Sequence, residues 1–222
     1  MRIDKRNRLC HIIVAETREK EGPPVKKNIL FIGNSYTYFW DMPEQIFAPM
    51  AAEAGQDFDV RAFTRGGYFL CWYADPDNEE GRRLRAFLEG RRFDCVVLQD
   101  NSLSPLTEPG KFFSGCRDMR DLLRDQTEHF VLYATWGRKT GCETLTELGM
   151  TSQEMTRIIA EQYDEAGRRL SIPVSHVGLA FEAYTAEHPE AELYYTDLHH
   201  PSPLGSTVAA QTLLKTITAV LN

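Results

Sequence analysis

From Asn28 onward, short apolar runs alternate with stretches of helical spacing. Asn28–Ile32 (NILFI) has the length and branched side chains of a buried strand and stops at Gly33. Ile46, Phe47, Met50 and Ala54 then recur at helical intervals, predicting a helix over Pro43–Ala54, with Pro43 suited to its first turn and Gly55 to its stop. Phe58–Phe63 alternates as a second strand. Arg82–Leu88 reads as a helix closed by Gly90, Phe93–Leu98 as a third strand, Lys111–Asp125 as a helix and His129–Thr135 as a fourth strand. Thr151-Ser152-Gln153-Glu154 has the form of a capping box, in which the Thr hydroxyl caps the third amide and the Glu reaches back; it opens a helix running to about Leu170. Pro173–Leu179 reads as a fifth strand, and Pro203–Leu221 as a closing helix capped by Ser202.

Strands separated by helices imply a parallel sheet with right-handed crossovers and helices on both faces. The expected fold class is therefore α/β: one doubly wound, five-stranded, three-layer α/β/α domain over residues 28–222. Residues 1–27 read as an arm and linker, because Thr17–Lys27 is charged and carries Gly22, Pro23 and Pro24. Within the arm, Leu9–Val14 is an added edge strand, a partner contact, or neither. Ligands of such sheets sit beyond the carboxyl ends of the strands, so the loops to search follow Ile32, Phe63, Leu98, Thr135 and Leu179.

Charge narrows the partners. With 25 Lys+Arg against 32 Asp+Glu the net charge is −7 over 222 residues, which argues against nucleic acid, since neutralising phosphates needs a positive surface. No uninterrupted apolar run approaches the ~20 residues of a membrane span. Leu9–Ala15 is broken by His11 and followed by charges, unlike an export signal. Five cysteines, an odd number without CxxC spacing, read as reduced thiols of a cytoplasmic protein rather than as disulfides or a zinc site.

Two of the strand-end loops carry residues with chemistry. In Gly33-Asn34-Ser35-Tyr36-Thr37, glycine permits a sharp turn and Ser35 falls at the mouth of the sheet, either as a helix cap or as a nucleophile. Tyr195–Ser202 immediately precedes the closing helix, and its Asp197 and His200 are three apart. Residues so spaced in a turn lie within about 7 Å, which lets a carboxylate hold one imidazole nitrogen and leave the other free as a base. His199 is the alternative partner. A metal site would need further ligands, and His188 is the only nearby candidate, so no metal is expected. Thr64–Tyr68 follows the second strand, where Gly66 and Gly67 allow a backbone amide close to a substrate. After the third strand, Gln99 or Asn101 offers a side-chain amide.

Together these blocks resemble the SGNH (GDSL-like) hydrolase superfamily, over most of Ile32–Ser202. Gly33-Asn34-Ser35 stands where the family more often has Gly-Asp-Ser, Gly67 at its second-block glycine, and Asp197, His200 and Pro201 at its Asp-x-x-His-Pro block. Gln99-Asp100-Asn101-Ser102 departs from Gly-x-Asn-Asp and looks more like the Gln-Gly-Glu-Ser of a carbohydrate acetylesterase branch. Asn34–Tyr38 followed by Asp41-Met42-Pro43 resembles a little-characterised bacterial branch. The resemblance implies a Ser35–His200–Asp197 triad, an oxyanion hole formed by Ser35, Gly67 and Gln99 (preferred to Asn101), no cofactor, and a small-molecule or glycan ester as substrate. Short O-acetyl esters are the expected substrates, with longer-chain lysophospholipase or thioesterase activity as the alternative. Tyr36, Tyr38, Phe39, Trp40, Trp72, Tyr73 and Trp136 lie on or near these loops, as a sugar-stacking surface or as core. A flavodoxin-like domain that cradles a phosphate is the rival from another class, but it gives no reason for the Asp197/His200 pair.

Overall fold

The structure, a computed structural model, describes residues 26–222. Almost all of the arm, including Leu9–Val14 and Cys10, lies outside the described residues. The expected architecture is present: a five-stranded sheet in the order β2-β1-β3-β4-β5, every pair parallel. Its strands are β1 (Lys27–Gly33), β2 (Phe58–Thr64), β3 (Cys95–Leu98), β4 (Phe130–Ala134) and β5 (Val174–His176).

Because side chains alternate along each strand, the sheet has two apolar faces. Leu30, Ile32, Val96, Leu98, Leu132 and Ala134 face one side. There they meet α3 (Leu70–Ala74), α4 (Glu79–Leu88), α6 (Pro109–Leu123) and α8 (Ser152–Leu170). Ile29, Phe31, Val97, Val131 and Tyr133 face the other, against α9 (Val177–Glu187) and α10 (Pro203–Leu221). Short helices α1 (Ser35–Tyr38), α2 (Ala48–Glu53), α5 (Ser104–Thr107) and α7 (Glu143–Leu148) fill the connections. The capping box at Thr151 forms as expected, Thr151 Oγ1 accepting from Glu154 N while Glu154 accepts from Thr151 N. By length and composition α10 would suffice for a membrane span. Its Val208, Ala209, Ala210, Leu213 and Ile217 are instead buried against the sheet.

Two elements depart from expectation. The segment Pro173–Leu179 changes from strand to helix after His176, because Val177, Gly178 and Phe181 are buried on one helical face. The fifth strand therefore ends at His176, and Leu179 is an exposed helical residue rather than a strand end. The helix expected over Pro43–Ala54 is split. Pro49 has no N–H to continue the ladder, and the segment begins with a π-helical turn, Met42–Phe47, in which Ala48 N donates to Pro43 O before α2 follows.

In the order 2-1-3-4-5 the connections leave β1 and β3 toward opposite faces. A crevice opens between their carboxyl ends, where doubly wound folds bind ligands. The loops after β1 and β3 meet there.

Candidate active site

Gly33 ends β1 under close constraint. A Cβ at this position would lie 2.5 Å from both Gln99 Oε1 and Thr37 Oγ1. Gln99 is buried at 1 % exposure, and its Oε1 accepts from Asn34 N (2.9 Å) and Thr37 Oγ1 (2.8 Å). Asn34 caps α1 by accepting from Tyr36 N, and its Nδ2 donates to Tyr68 O, tying the loop after β1 to the loop after β2. The chain is thus gripped on both sides of the turn that presents Ser35, the first residue of α1.

The loop 194–201 is fastened as tightly. Tyr194 and Pro201 form an antiparallel bridge, and Tyr195 N donates to His200 O. Lys139 N donates to Leu198 O, and Trp136 Nε1 to His199 O. Leu198 has φ 65°, a left-handed backbone that a branched side chain adopts only under constraint. That bend turns the amides of His199 and His200 onto Asp197 Oδ1, at 3.1 and 3.0 Å.

The structure brings Ser35, His200 and Asp197 into one relay. Asp197 Oδ2 lies 2.7 Å from His200 Nδ1, and His200 Nε2 lies 2.8 Å from Ser35 Oγ. Partial burial pushes the Asp197 carboxyl up, but hydrogen bonds from the His200 ring and from the His200 and His199 amides outweigh it and hold the carboxyl down at about 2. Phe39 stacks on His200 with the rings 4.2 Å apart and 2° from parallel. His199 Nδ1 is 3.6 Å from Asp197 Oδ1, the longer of the two contacts. Burial, then the charges of Arg138 and His200, depress the His199 imidazole to about 4, so it is neutral at pH 7. Asp197, His199 and His200 form a tight group of potential metal-ligand atoms, but both ring nitrogens of His200 are already engaged with Asp197 and Ser35. His188 lies elsewhere, at the end of α9 against Tyr184.

The oxyanion-side residues divide. Gly67 has φ 68° and is exposed, and its carbonyl accepts from Asn101 Nδ2 at 3.3 Å. The amides of Ser35 and Gly67 have no acceptor among the described residues. Gln99 is a correction. It was expected to point its amide at the substrate, but it is buried, its Oε1 serves Asn34 and Thr37, and its Nε2 donates to Asp100 O. Asn101, half-buried beside Gly67, is the side-chain amide left at the crevice.

Two further residues escaped the sequence reading. Asp100 is 1 % exposed and its Oδ1 accepts from Leu70 N and Asn101 N, both at 2.8 Å. Burial raises its carboxyl to about 6 against those hydrogen bonds. It fixes the turn that presents Asn101. Arg138, after β4, is buried with its guanidinium 5.3 Å from the centre of the Tyr36 ring. An acid after a strand and an arginine before a lysine carry no signal of burial.

Of the aromatic residues, Tyr36, Tyr73 and Trp136 are core. Tyr38, Trp40 and Trp72 are exposed. Phe39, Trp40 and Tyr195 surround a shallow pocket of about 390 Å³ beside His200. Trp40 (φ 59°) and Asp41 (φ 47°) are consecutive left-handed residues, held in place by Trp40 Nε1 donating to Pro201 O at 2.8 Å.

No protein-family model matches the sequence, and no curated protein is similar to it. Solved structures are similar. One, from Slackia heliotrinireducens and classed as an SGNH hydrolase, shares 30% identity over 86% of this chain and 99% of its own, with a TM-score of 0.74. A DUF4886 family protein from Bacteroides uniformis (16% identity, TM-score 0.70) covers 87% of this chain and 83% of its own. A member of the lipolytic G-D-S-L family from Veillonella parvula (11% identity, TM-score 0.61) covers 86% and 98%. The latter two share the fold. Identity and near-complete coverage in the first, over the same parallel sheet, establish that the chain belongs to the SGNH (GDSL-like) hydrolases, a family of ester-hydrolysing enzymes.

Proposed function

We propose that this hydrolase cleaves short-chain carboxylic esters, chiefly O-acetyl groups on a carbohydrate or similar small alcohol, through a Ser35–His200–Asp197 triad. The observation that carries the reading is the relay of 2.7 and 2.8 Å contacts ending at Ser35 Oγ. His200 Nε2 takes the Ser35 proton as Oγ bonds to the ester carbonyl carbon, and Asp197 stabilises the imidazolium. Amides of Ser35 and Gly67, with Asn101 Nδ2, are the proposed donors to the oxyanion. As the tetrahedral adduct collapses, the alkoxide takes the proton from His200 and leaves as the alcohol. Water then gives its proton to His200 and cleaves the acyl-enzyme, releasing the acid and restoring Ser35.

The aromatic pocket supports a ring-shaped alcohol, since Phe39, Trp40 and Tyr195 offer apolar faces to a sugar and Asp41 a hydrogen-bond acceptor at its rim. The four described cysteines, Cys71, Cys95, Cys116 and Cys142, are free thiols, which supports a cytoplasmic setting. An acyl series of p-nitrophenyl esters tests the reading. kcat/KM should fall steeply beyond butyryl and be lost in Ser35→Ala. A preference for octanoyl would instead favour the long-chain alternative, and an active Ser35→Ala would remove the triad.

A further inference from the structure

Arg138 is a buried cation with no counter-charge in ion-pair contact, the Asp197 carboxylate acting on it only through space. It is 9 % exposed and enters no ion pair with any described residue. Its Nε and Nη1 are buried and unpartnered. Its Nη2 makes no hydrogen bond to a described residue either, and is the guanidinium nitrogen left in contact with solvent. One face of the group rests on the Tyr36 ring at 5.3 Å, which offsets part of the lost hydration by cation–π attraction. The carboxylate that acts on it is already engaged: Asp197 accepts from the His200 ring and from two backbone amides. A guanidinium with two buried, unpartnered nitrogens is costly to maintain, and an anion held at its solvent-facing nitrogen offsets part of that cost.

Its position says which anion. Tyr36 follows Ser35 directly, and its ring also lies 5.5 Å from His200 and 6.3 Å from His199. Lys139 N, one residue beyond Arg138, is bonded to Leu198 O within the loop that carries Asp197 and His200. Arg138 therefore lies on the histidine side of the site. A base that takes the Ser35 proton must return it to the departing alkoxide, so the alcohol half of an ester lies against His200. The neutral His199 beside Arg138 brings no competing positive charge.

We infer that Arg138, with His199, forms an anion subsite for the alcohol portion of the substrate, so that the enzyme acts on short acyl esters of alcohols bearing a carboxylate or a similar oxyanion. This rests on the proposed esterase chemistry and narrows it. The solvent-facing Nη2 offers such an oxyanion a charge-assisted hydrogen bond, and the delocalised positive charge behind it adds attraction.

The test compares 4-acetoxyphenylacetate with its neutral primary amide, in which a methylene insulates the leaving phenol from the charge. A third ester, mono-p-nitrophenyl succinate, carries its carboxylate on the acyl side. The parent should favour the acetoxy carboxylate over its amide by roughly tenfold or more in kcat/KM, with no matching gain over p-nitrophenyl butyrate for the succinate. Arg138→Met should bring the first ratio close to one, and Arg138→Lys should keep part of it. A ratio near one in the parent, a ratio unchanged in Arg138→Met, or preference for the acyl-side charge would overturn the assignment. Should Arg138→Met fail to fold, inhibition of the parent by 4-hydroxyphenylacetate and by its amide decides: the carboxylate must be the stronger inhibitor. If the parent hydrolyses no ester at all, the esterase reading falls. The subsite then stands or falls on calorimetric binding of 4-hydroxyphenylacetate over its amide.

Discussion

Gly33→Ala is the smallest change that should disable the site. Gly33 has no left-handed backbone, so alanine meets no conformational penalty there, and the demand is for space alone. The added methyl would lie 2.5 Å from Gln99 Oε1 and from Thr37 Oγ1, and 3.1 Å from Gln99 Cβ, so Gln99 must move. Its Oε1 accepts two hydrogen bonds, from Asn34 N and Thr37 Oγ1, in a fully buried setting. Each buried group left unsatisfied costs about 1–3 kcal/mol, giving about 2–6 kcal/mol in total. That is a large share of the ~5–15 kcal/mol typical of a domain. Asn34 immediately precedes Ser35, so the same displacement shifts the nucleophile, and a 1 Å error at a reacting group costs about 10²-fold in rate. Urea denaturation gives the first quantity and kcat on p-nitrophenyl acetate the second. Gly55→Ala is the control: it has φ 79° but open space around the new methyl, and should lose stability without loss of kcat per folded molecule. A Gly33→Ala protein within about 0.5 kcal/mol of the parent and with undiminished kcat would refute the packing argument.

Three other outcomes are expected. Asp197→Asn should lower kcat by about 10³–10⁴-fold while leaving the urea midpoint near the parent's, because the amide can still accept the two backbone bonds but favours the wrong imidazole tautomer; near-normal kcat would count against the relay. Asn101→Ala should cost about 10²–10³ in kcat with little loss of stability, whereas Gln99→Ala should chiefly lose stability; the reverse pattern would return the oxyanion role to Gln99. Asp100 has a folded-state carboxyl raised to about 6 by burial, above its unfolded value near 3.9, so its favourable contribution is complete below about pH 4 and fades as pH rises through 6. Relative to Asp100→Asn, the parent should therefore lose up to about 3 kcal/mol between pH 4 and pH 7.5 in urea titrations, and parallel pH profiles would contradict this.

The sheet was readable because β1, β3 and β4 are nearly continuous apolar runs, as befits strands covered on both faces, while the edge strand β2 shows alternation instead. The relay was readable because its acid and base sit three residues apart before a helix, leaving only Ser35 to be brought in by the fold. What escaped was whatever burial alone decides. Pro173–Leu179 carries Val174, Val177 and Leu179 around Ser175 and His176, and no cap or breaker in it marks the change from strand to helix at Val177; the packing of Val177, Gly178 and Phe181 does. Gln99 and Asn101 are both amides at one strand end, and their roles separate only when one side chain points beneath the turn and the other across it. The charge of Arg138 becomes informative only once its neighbours are known to be occupied.

Ser35 and His200 are joined through space across 165 positions of sequence, and the loop bearing His200 is pinned by Trp136, Lys139 and Trp40 before α10 begins. On the proposed mechanism, the turn that presents Ser35 has no base until the loop 194–201 docks beside it. Hydrolytic turnover then reports on that docking, and a chain cut short of Asp197 should keep only the residual rate that the oxyanion donors and binding supply.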